Sequence, residues 1–108
     1  MVVTNLLRRQ KMKFHSREQT VADRTDLLVQ AADLISGDRA KDYGDAHENF
    51  QRIADGWSLI FEHPVAAYQV ALAMDWLKTC RLITSPDHLD SWIDKAGYTA
   101  LGGEIACE

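Results

Sequence analysis

The third of four predicted helices carries charged side chains at a spacing of three residues. Asp75, Lys78 and Arg81 therefore lie on neighbouring turns, and Asp75 and Lys78 share a face with the apolar residues Ala71 and Leu82. A charge held close to a bundle interior needs a partner. Two interpretations follow: these side chains bind a phosphate group, or they form ion pairs with acidic residues of the next helix.

The fourth predicted helix begins with a row of carboxylates. Asp87, Asp90 and Asp94 are spaced three and four residues apart, which places them on one helix face. Like charges at this spacing repel each other by about 0.2–0.5 kcal/mol per pair. The compensating charge is the helix N-terminus, a cation of the third helix, or a hard cation such as Mg²⁺. If Glu48 of the second helix faces the row, Glu48, Asp90 and Asp94 are the predicted Mg²⁺ ligands.

A charged connector precedes the second helix. Residues 37–45 read GDRAKDYGD, with Arg39, Lys41 and Tyr43 between two glycines. Two cations on a flexible backbone suit a phosphate group, and the tyrosine ring can stack on a base. The alternative is a solvated connector whose Tyr43 packs on the second helix, and composition alone favours that alternative.

Capping signals and apolar periodicity place the four helices. Each start is marked by a polar N-cap pattern or a first-turn proline. The starts are Ser16 with Gln19, Asp45 with Glu48, about Val65 with Pro64 as a first-turn residue, and Ser85 with Pro86, and the first and third helices end near Ser36 and Ile83. No strand-like alternation occurs. The sequence therefore predicts an all-α, four-helix antiparallel bundle over residues 16–108, in which Gly97 permits close helix packing or a slight kink.

Charge and composition exclude several classes of function. The chain has 12 Lys and Arg against 16 Asp and Glu; residues 1–15 hold four of the cations and no acid, so residues 16–108 carry 8 − 16 = −8. Such a domain is unsuited to the nucleic-acid backbone. No apolar run approaches a membrane span or a signal-peptide core. We therefore expect a soluble intracellular domain with a mobile basic tail over 1–15; Met1 and Met12 are both plausible starts.

Three segments together resemble a family of small proteins encoded by bacteriophages and prophages, generally without assigned function. They are RAKDYGDAHENFQRIADGW from Arg39, LKTCRL, and DHLDSWIDKAGYTALGGE, and the similarity runs from about Leu27 to Glu104. Shared features are the Tyr43–Gly44 pair, the Lys78/Arg81 helix, and the set of Asp90, Asp94, Gly97 and Tyr98. The layout is more distantly similar to nucleotide-modification-associated domains and to MazG-like all-α NTP pyrophosphatases.

The distant resemblance implies a Mg²⁺-dependent, oligomeric helical bundle that cleaves nucleoside triphosphates. The chain departs from that pattern, because Asp90 and Asp94 are four residues apart and Glu48 lacks an acidic partner. Nucleotide binding without turnover is compatible with this departure.

The leading hypothesis is that the protein lies in the host cytoplasm and binds a nucleotide or a related phosphorylated small molecule. Its predicted ligand-binding residues are Arg39, Lys41, Tyr43, Lys78, Arg81 and Tyr98. Two alternatives stay open: an interaction protein that binds a host protein through its acidic surface, and an oligomer in which the charged residues only join helices. Self-association is suggested by the three tryptophans and by the position of Trp76 on the side of its helix away from Asp75.

Overall fold

The computed structural model describes residues 23–36 and 45–108, and it confirms the all-α prediction for them. Four helices pack together: α1 (Arg24–Ser36), α2 (Ala46–Phe61), α3 (Ala67–Thr84) and α4 (Leu89–Ala106). These two ranges contain no strand. The predicted tail, the helix start at Ser16 and the connector residues Arg39, Lys41 and Tyr43 lie outside the described residues. None of the four helices is long and apolar enough to cross a membrane.

Helices α1 and α4 approach each other closely at a glycine. Asp23 caps α1, since its Oδ1 accepts a hydrogen bond from the backbone N–H of Asp26 at 2.9 Å. A Cβ placed on Gly97 would lie 3.2 Å from Ile35 Cγ2, which is tighter than ordinary van der Waals contact. The predicted role of Gly97 in close packing is therefore confirmed, and the end of α1 is fixed against the middle of α4.

The predicted start of α2 is also confirmed. Asp45 is the N-cap, and its side chain accepts a hydrogen bond from the backbone N–H of His47 at 2.8 Å. The helix ends at Glu62, whose φ of 53° is a left-handed conformation that non-glycine residues seldom adopt. This reversal turns the chain back toward α3.

The predicted start of α3 at about Val65 is two residues early, and Pro64 does not belong to its first turn. Ala66 is the N-cap, and its backbone N–H donates to Gln69 Oε1 at 2.8 Å. The backbone N–H of Val65 instead donates to Ser58 Oγ at 2.8 Å. Pro64 and Val65 therefore belong to the connection, because a side chain of α2 takes the hydrogen bond of Val65.

The predicted start of α4 at Ser85–Pro86 is also wrong. Ser85 is the C-cap of α3, and its N–H donates to the carbonyl of Arg81 at 2.9 Å. A turn follows, and α4 starts after the N-cap residue His88. The indole N–H of Trp92 donates to the carbonyl of Pro86 at 2.8 Å and holds this turn against the first turn of α4. As a result Asp87 lies exposed before the helix and does not extend the carboxylate row.

The apolar core is built from small side chains and two aromatic rings. Phe50 and Tyr98 have ring centroids 6.3 Å apart, which joins α2 to α4. The buried members of this core are Phe50, Ala54, Ala67, Val70, Ala71 and Tyr98. A Cβ on Gly102 would come within 2.8 Å of Ala71 Cβ, so the glycine allows α3 and α4 to approach closely. This approach positions the polar residues described next.

Candidate functional site

A group of charged and polar side chains lies buried where α3 meets α4. Its members, called here the buried polar cluster, are Lys78, Asp90, Ser91 and Asp94, each at most 3% exposed. Asp90 and Asp94 are one turn apart on α4, and the phenol of Tyr98, also buried, continues the same row. Each of these three side chains has an interaction partner. A polar row of this kind within a small core is costly unless its groups are paired.

An ion pair crosses the interface inside this cluster. Lys78 Nζ lies 3.0 Å from Asp94 Oδ2, and both side chains are almost completely excluded from solvent. This contact confirms that a cation of α3 compensates one of the α4 carboxylates, Asp94. Breaking a buried pair by removing one partner costs about 3–5 kcal/mol, because the other charge is left without compensation. Lys78 and Asp94 therefore hold each other in place.

A second polar network lies at the edge of the same interface. Lys95 Nζ lies 2.5 Å from Asp75 Oδ1 and 2.8 Å from Thr79 Oγ1, with Lys95 and Asp75 each about one quarter exposed. The sequence spacing identified Asp75 but not its partner. Lys95 is the single cation of α4. As the one positive charge of an acidic helix, it could have been identified from the sequence as the partner of Asp75. Together the two ion pairs fix an antiparallel register in which residue numbers across the interface add to about 172.

The N-terminus of α4 carries a histidine–serine contact. His88 Nδ1 and Ser91 Oγ share a hydrogen bond of 2.7 Å, three residues apart in sequence. Ser91 is fully buried, so its hydroxyl is not available to a substrate in solution. The contact orders the first turn of α4 next to Asp90, and it was not predicted from the sequence.

The predicted site residues separate into three groups. Lys78, Asp90, Asp94 and Tyr98 lie buried along one part of the α3–α4 interface. Arg81 and Glu48 are exposed, and Arg81 makes no ion pair with a residue in the described ranges. Arg81 lies one turn beyond Lys78, and in the antiparallel register it is level with the first turn of α4. Arg81 is therefore a solvent-exposed cation one turn from Lys78 of the buried polar cluster.

Within residues 23–36 and 45–108, no three or more His, Cys, Asp or Glu side chains form a group that could hold a metal ion. Asp90 and Asp94 are buried, whereas Glu48 is exposed. These described residues alone do not fit a Mg²⁺ centre, so no chemical step is assigned to the metal. The Mg²⁺ assignment stays a prediction from the sequence.

The helices on either side of residues 37–44 both contact the same part of α4. At one end Ile35, the second-to-last residue of α1, contacts Gly97. At the other end Phe50, in the first turns of α2, contacts Tyr98. The two contact points lie within about one turn of Asp94. The described residues on either side of 37–44 therefore contact α4 near the buried polar cluster.

Comparison with known sequences identifies the family. Residues 26–106 match a family described as a domain of unknown function, DUF6378. The chain belongs to the DUF6378 family. It is similar to the Gene 55 protein of Mycobacterium phage L5, with 39% identity over 77 residues that cover 69% of this chain and 49% of the relative. The Gene 55 protein of Mycobacterium phage D29 is 39% identical over 72 residues, which cover 67% of this chain and 48% of that protein.

These comparisons confirm the resemblance to phage-encoded proteins of unassigned function. The chain spans about half the length of the curated relatives it matches. No solved structure matches it. The DUF6378 segment contains all four described helices apart from the first two residues of α1, and therefore the complete buried polar cluster.

Proposed function

We propose that this DUF6378 chain binds a nucleotide or a related phosphorylated small molecule beside the buried polar cluster. The observation that carries the proposal is the row of Asp90, Asp94 and Tyr98, buried one turn apart and joined to the buried Lys78. Buried ion pairs are often replaceable by apolar residues without loss of stability, so folding alone is a weak reason for such a group.

The distribution of cations supports a phosphorylated ligand. Lys78 is occupied by Asp94, so it positions the carboxylate and does not itself contact phosphate. Arg81 is exposed and level with the first turn of α4, where it can pair with an anion. Arg39, Lys41 and Tyr43 are assigned to the ligand from the sequence. The contacts of the flanking helices α1 and α2 with α4 support this assignment.

A thermal-shift panel of nucleoside mono-, di- and triphosphates, each with and without Mg²⁺, tests this proposal. A ligand that binds the folded state alone stabilises it by about 2.7 kcal/mol at one hundred times its Kd. We expect at least one nucleotide to raise the melting temperature. A panel without any shift at millimolar ligand would contradict the proposal.

Two matched substitutions locate the site. Arg81→Gln removes an exposed cation next to the cluster, and we expect it to reduce the nucleotide-induced shift while the unliganded protein keeps its melting temperature. Arg52→Gln removes an exposed cation of α2 and should leave the shift unchanged. Equal shifts in both variants would place the ligand elsewhere.

Turnover is measured separately. A pyrophosphohydrolase releases pyrophosphate from a nucleoside triphosphate in the presence of Mg²⁺, whereas a binding protein gives a thermal shift without pyrophosphate. The departure from the pyrophosphatase carboxylate pattern at Glu48 makes binding without turnover the expected result. Pyrophosphate release that disappears in Asp90→Asn but persists in Asp87→Asn would assign the activity to this site.

A further inference from the structure

The side of α3 that faces away from the bundle is apolar. Tyr68, Leu72, Trp76 and Cys80 follow one another at intervals of four residues, and Ile83 lies between Leu72 and Trp76 around the helix. We call these five residues the outer face of α3. Trp76 is 67% exposed and Ile83 is 76% exposed. The largest side chain of the helix is thus directed into solvent.

The outer face also lacks charge. Among the exposed positions of α3, every residue of which the structure describes, the single charged side chain is Arg81. Arg81 lies about 140° around the helix from Trp76. The opposite side of α3 is packed against α2 and α4. A helix that is apolar on its free side as well as its packed side is typical of one buried from both directions.

The exposed area is close to what a stable pair requires. Tyr68, Leu72, Trp76 and Ile83 together expose on the order of 500 Å² of apolar surface, as large as the biggest patch of a typical monomer. The antiparallel register places Trp92 of α4, 42% exposed, level with the last two turns of α3. A standard interface buries roughly 800 Å² per partner.

We propose that a second copy of this chain covers the outer face of α3. The described residues carry 5 − 13 = −8 charges, so two copies repel each other wherever their acidic surfaces meet. The outer face of α3 carries no charge, and two acidic copies can approach there without that repulsion. The centres of homodimer interfaces are depleted of charge in the same way. A basic partner protein would instead bind the acidic surface.

A two-fold axis at the middle of α3 fits this surface. Trp76 lies midway between Tyr68 and Ile83, so an antiparallel pair of α3 helices centred on Trp76 buries the whole outer face of both copies. In a two-fold interface each contact occurs twice. Leu72 of one copy then lies near Cys80 of the other, and Trp76 meets its own counterpart. This proposal does not depend on the ligand site.

Sedimentation velocity over a range of concentrations tests the pairing. We expect the unmodified chain to sediment as a dimer at micromolar concentration and Trp76→Glu to sediment as a monomer, with a dissociation constant raised at least about a hundredfold. Leu59→Glu, at an 80% exposed position of α2, is the matched control and should remain dimeric. Circular dichroism checks that both variants keep their helices. An unmodified chain that stays monomeric at the highest concentration, or equal dissociation of both variants, would overturn the proposal.

A cross-linking experiment tests the antiparallel arrangement. Cys107→Ser leaves Cys80 as the single thiol of the chain. Adding Leu72→Cys to this background should give an efficient covalent dimer with a short bis-maleimide, because the new thiol meets Cys80 of the other copy. Adding Leu59→Cys should not increase the covalent dimer above the Cys107→Ser background. Equal yields from the two added cysteines would contradict the pairing through α3.

Discussion

The two sides of α3 reverse the usual distribution of polarity. On the inner side Lys78 is 2% exposed and paired with Asp94, while on the outer side Trp76 is 67% exposed. Charged residues are seldom fully buried unless they are paired, and large exposed apolar patches mark interaction surfaces. The charges on the inner side are therefore paired within one copy of the chain, whereas we propose that a second copy covers the outer side. The predictions below separate the two sides by the size and the concentration dependence of each effect.

The largest effect is expected for the buried ion pair. Lys78→Met removes the ammonium group that lies 3.0 Å from Asp94 Oδ2, and we expect a loss of about 3–5 kcal/mol in the free energy of unfolding, measured by urea denaturation. The double variant Lys78→Met, Asp94→Leu removes both charges and should recover most of that loss. If the single and double variants were equally unstable, lost packing rather than the broken ion pair would explain the result. The Lys78–Asp94 pair would then not be the main contribution of the inner side of α3 to stability.

The ion pair shows how far the sequence alone leads. The spacing of Asp75, Lys78 and Arg81 indicated that charge lies near the interior, and pairing with α4 was one of two interpretations. Helix spacing gives the face of each residue on its own helix, but it does not say which faces of two helices meet. That choice depends on close approaches such as the one at Gly102. The sequence therefore identified Lys78 and Asp94 but not Lys95, Thr79 or Ser91.

Helix boundaries follow the same division between local and distant causes. The start of α2 was predicted correctly because its cap, Asp45, is a local interaction with His47. The helices α3 and α4 begin two and three residues later than predicted, because Pro64 and Pro86 were interpreted as first-turn residues and both lie before their helices. Ser58 of α2 binds the backbone next to Pro64, and the backbone of Ser85 is still bonded to α3. Neither contact can be predicted from the few residues around a proline.

The second largest effect concerns the packing of the inner side of α3. Gly102→Ala would place a Cβ 2.8 Å from Ala71 Cβ, which is attached directly to the backbone and cannot rotate away. We expect a loss of about 1–3 kcal/mol in unfolding free energy, because the two helices must move apart. Gly103→Ala has open space around its new Cβ and should instead gain about 0.5–1 kcal/mol from higher helix propensity. If urea denaturation showed the same change in unfolding free energy for both variants, or a gain for Gly102→Ala, then α3 and α4 would not be in close contact.

A smaller effect is expected at the border between the two sides. Asp75 and Lys95 are each 26% exposed, so solvent weakens their attraction relative to that of Lys78 and Asp94. Asp75→Asn should cost at most about 1 kcal/mol, and the difference from the unmodified chain should shrink in high salt. The loss caused by Lys78→Met should be nearly independent of salt. A similar salt dependence in both variants would contradict the difference in burial.

The smallest effect on the folded monomer, and the one that best separates the two sides, is expected at Leu72. This side chain is 60% exposed, so Leu72→Gln should change the unfolding free energy by less than about 0.5 kcal/mol at submicromolar concentration. Association of folded copies adds stability that rises with protein concentration. The unmodified chain should therefore melt at a higher temperature as its concentration increases, while Leu72→Gln should lose that dependence and Lys78→Met should keep it at a lower temperature. If the melting temperature of the unmodified chain stayed constant over a hundredfold range of concentration, the chain would be a monomer whose Trp76 side is exposed. A partner other than a second copy would then be needed to explain the apolar outer face of α3.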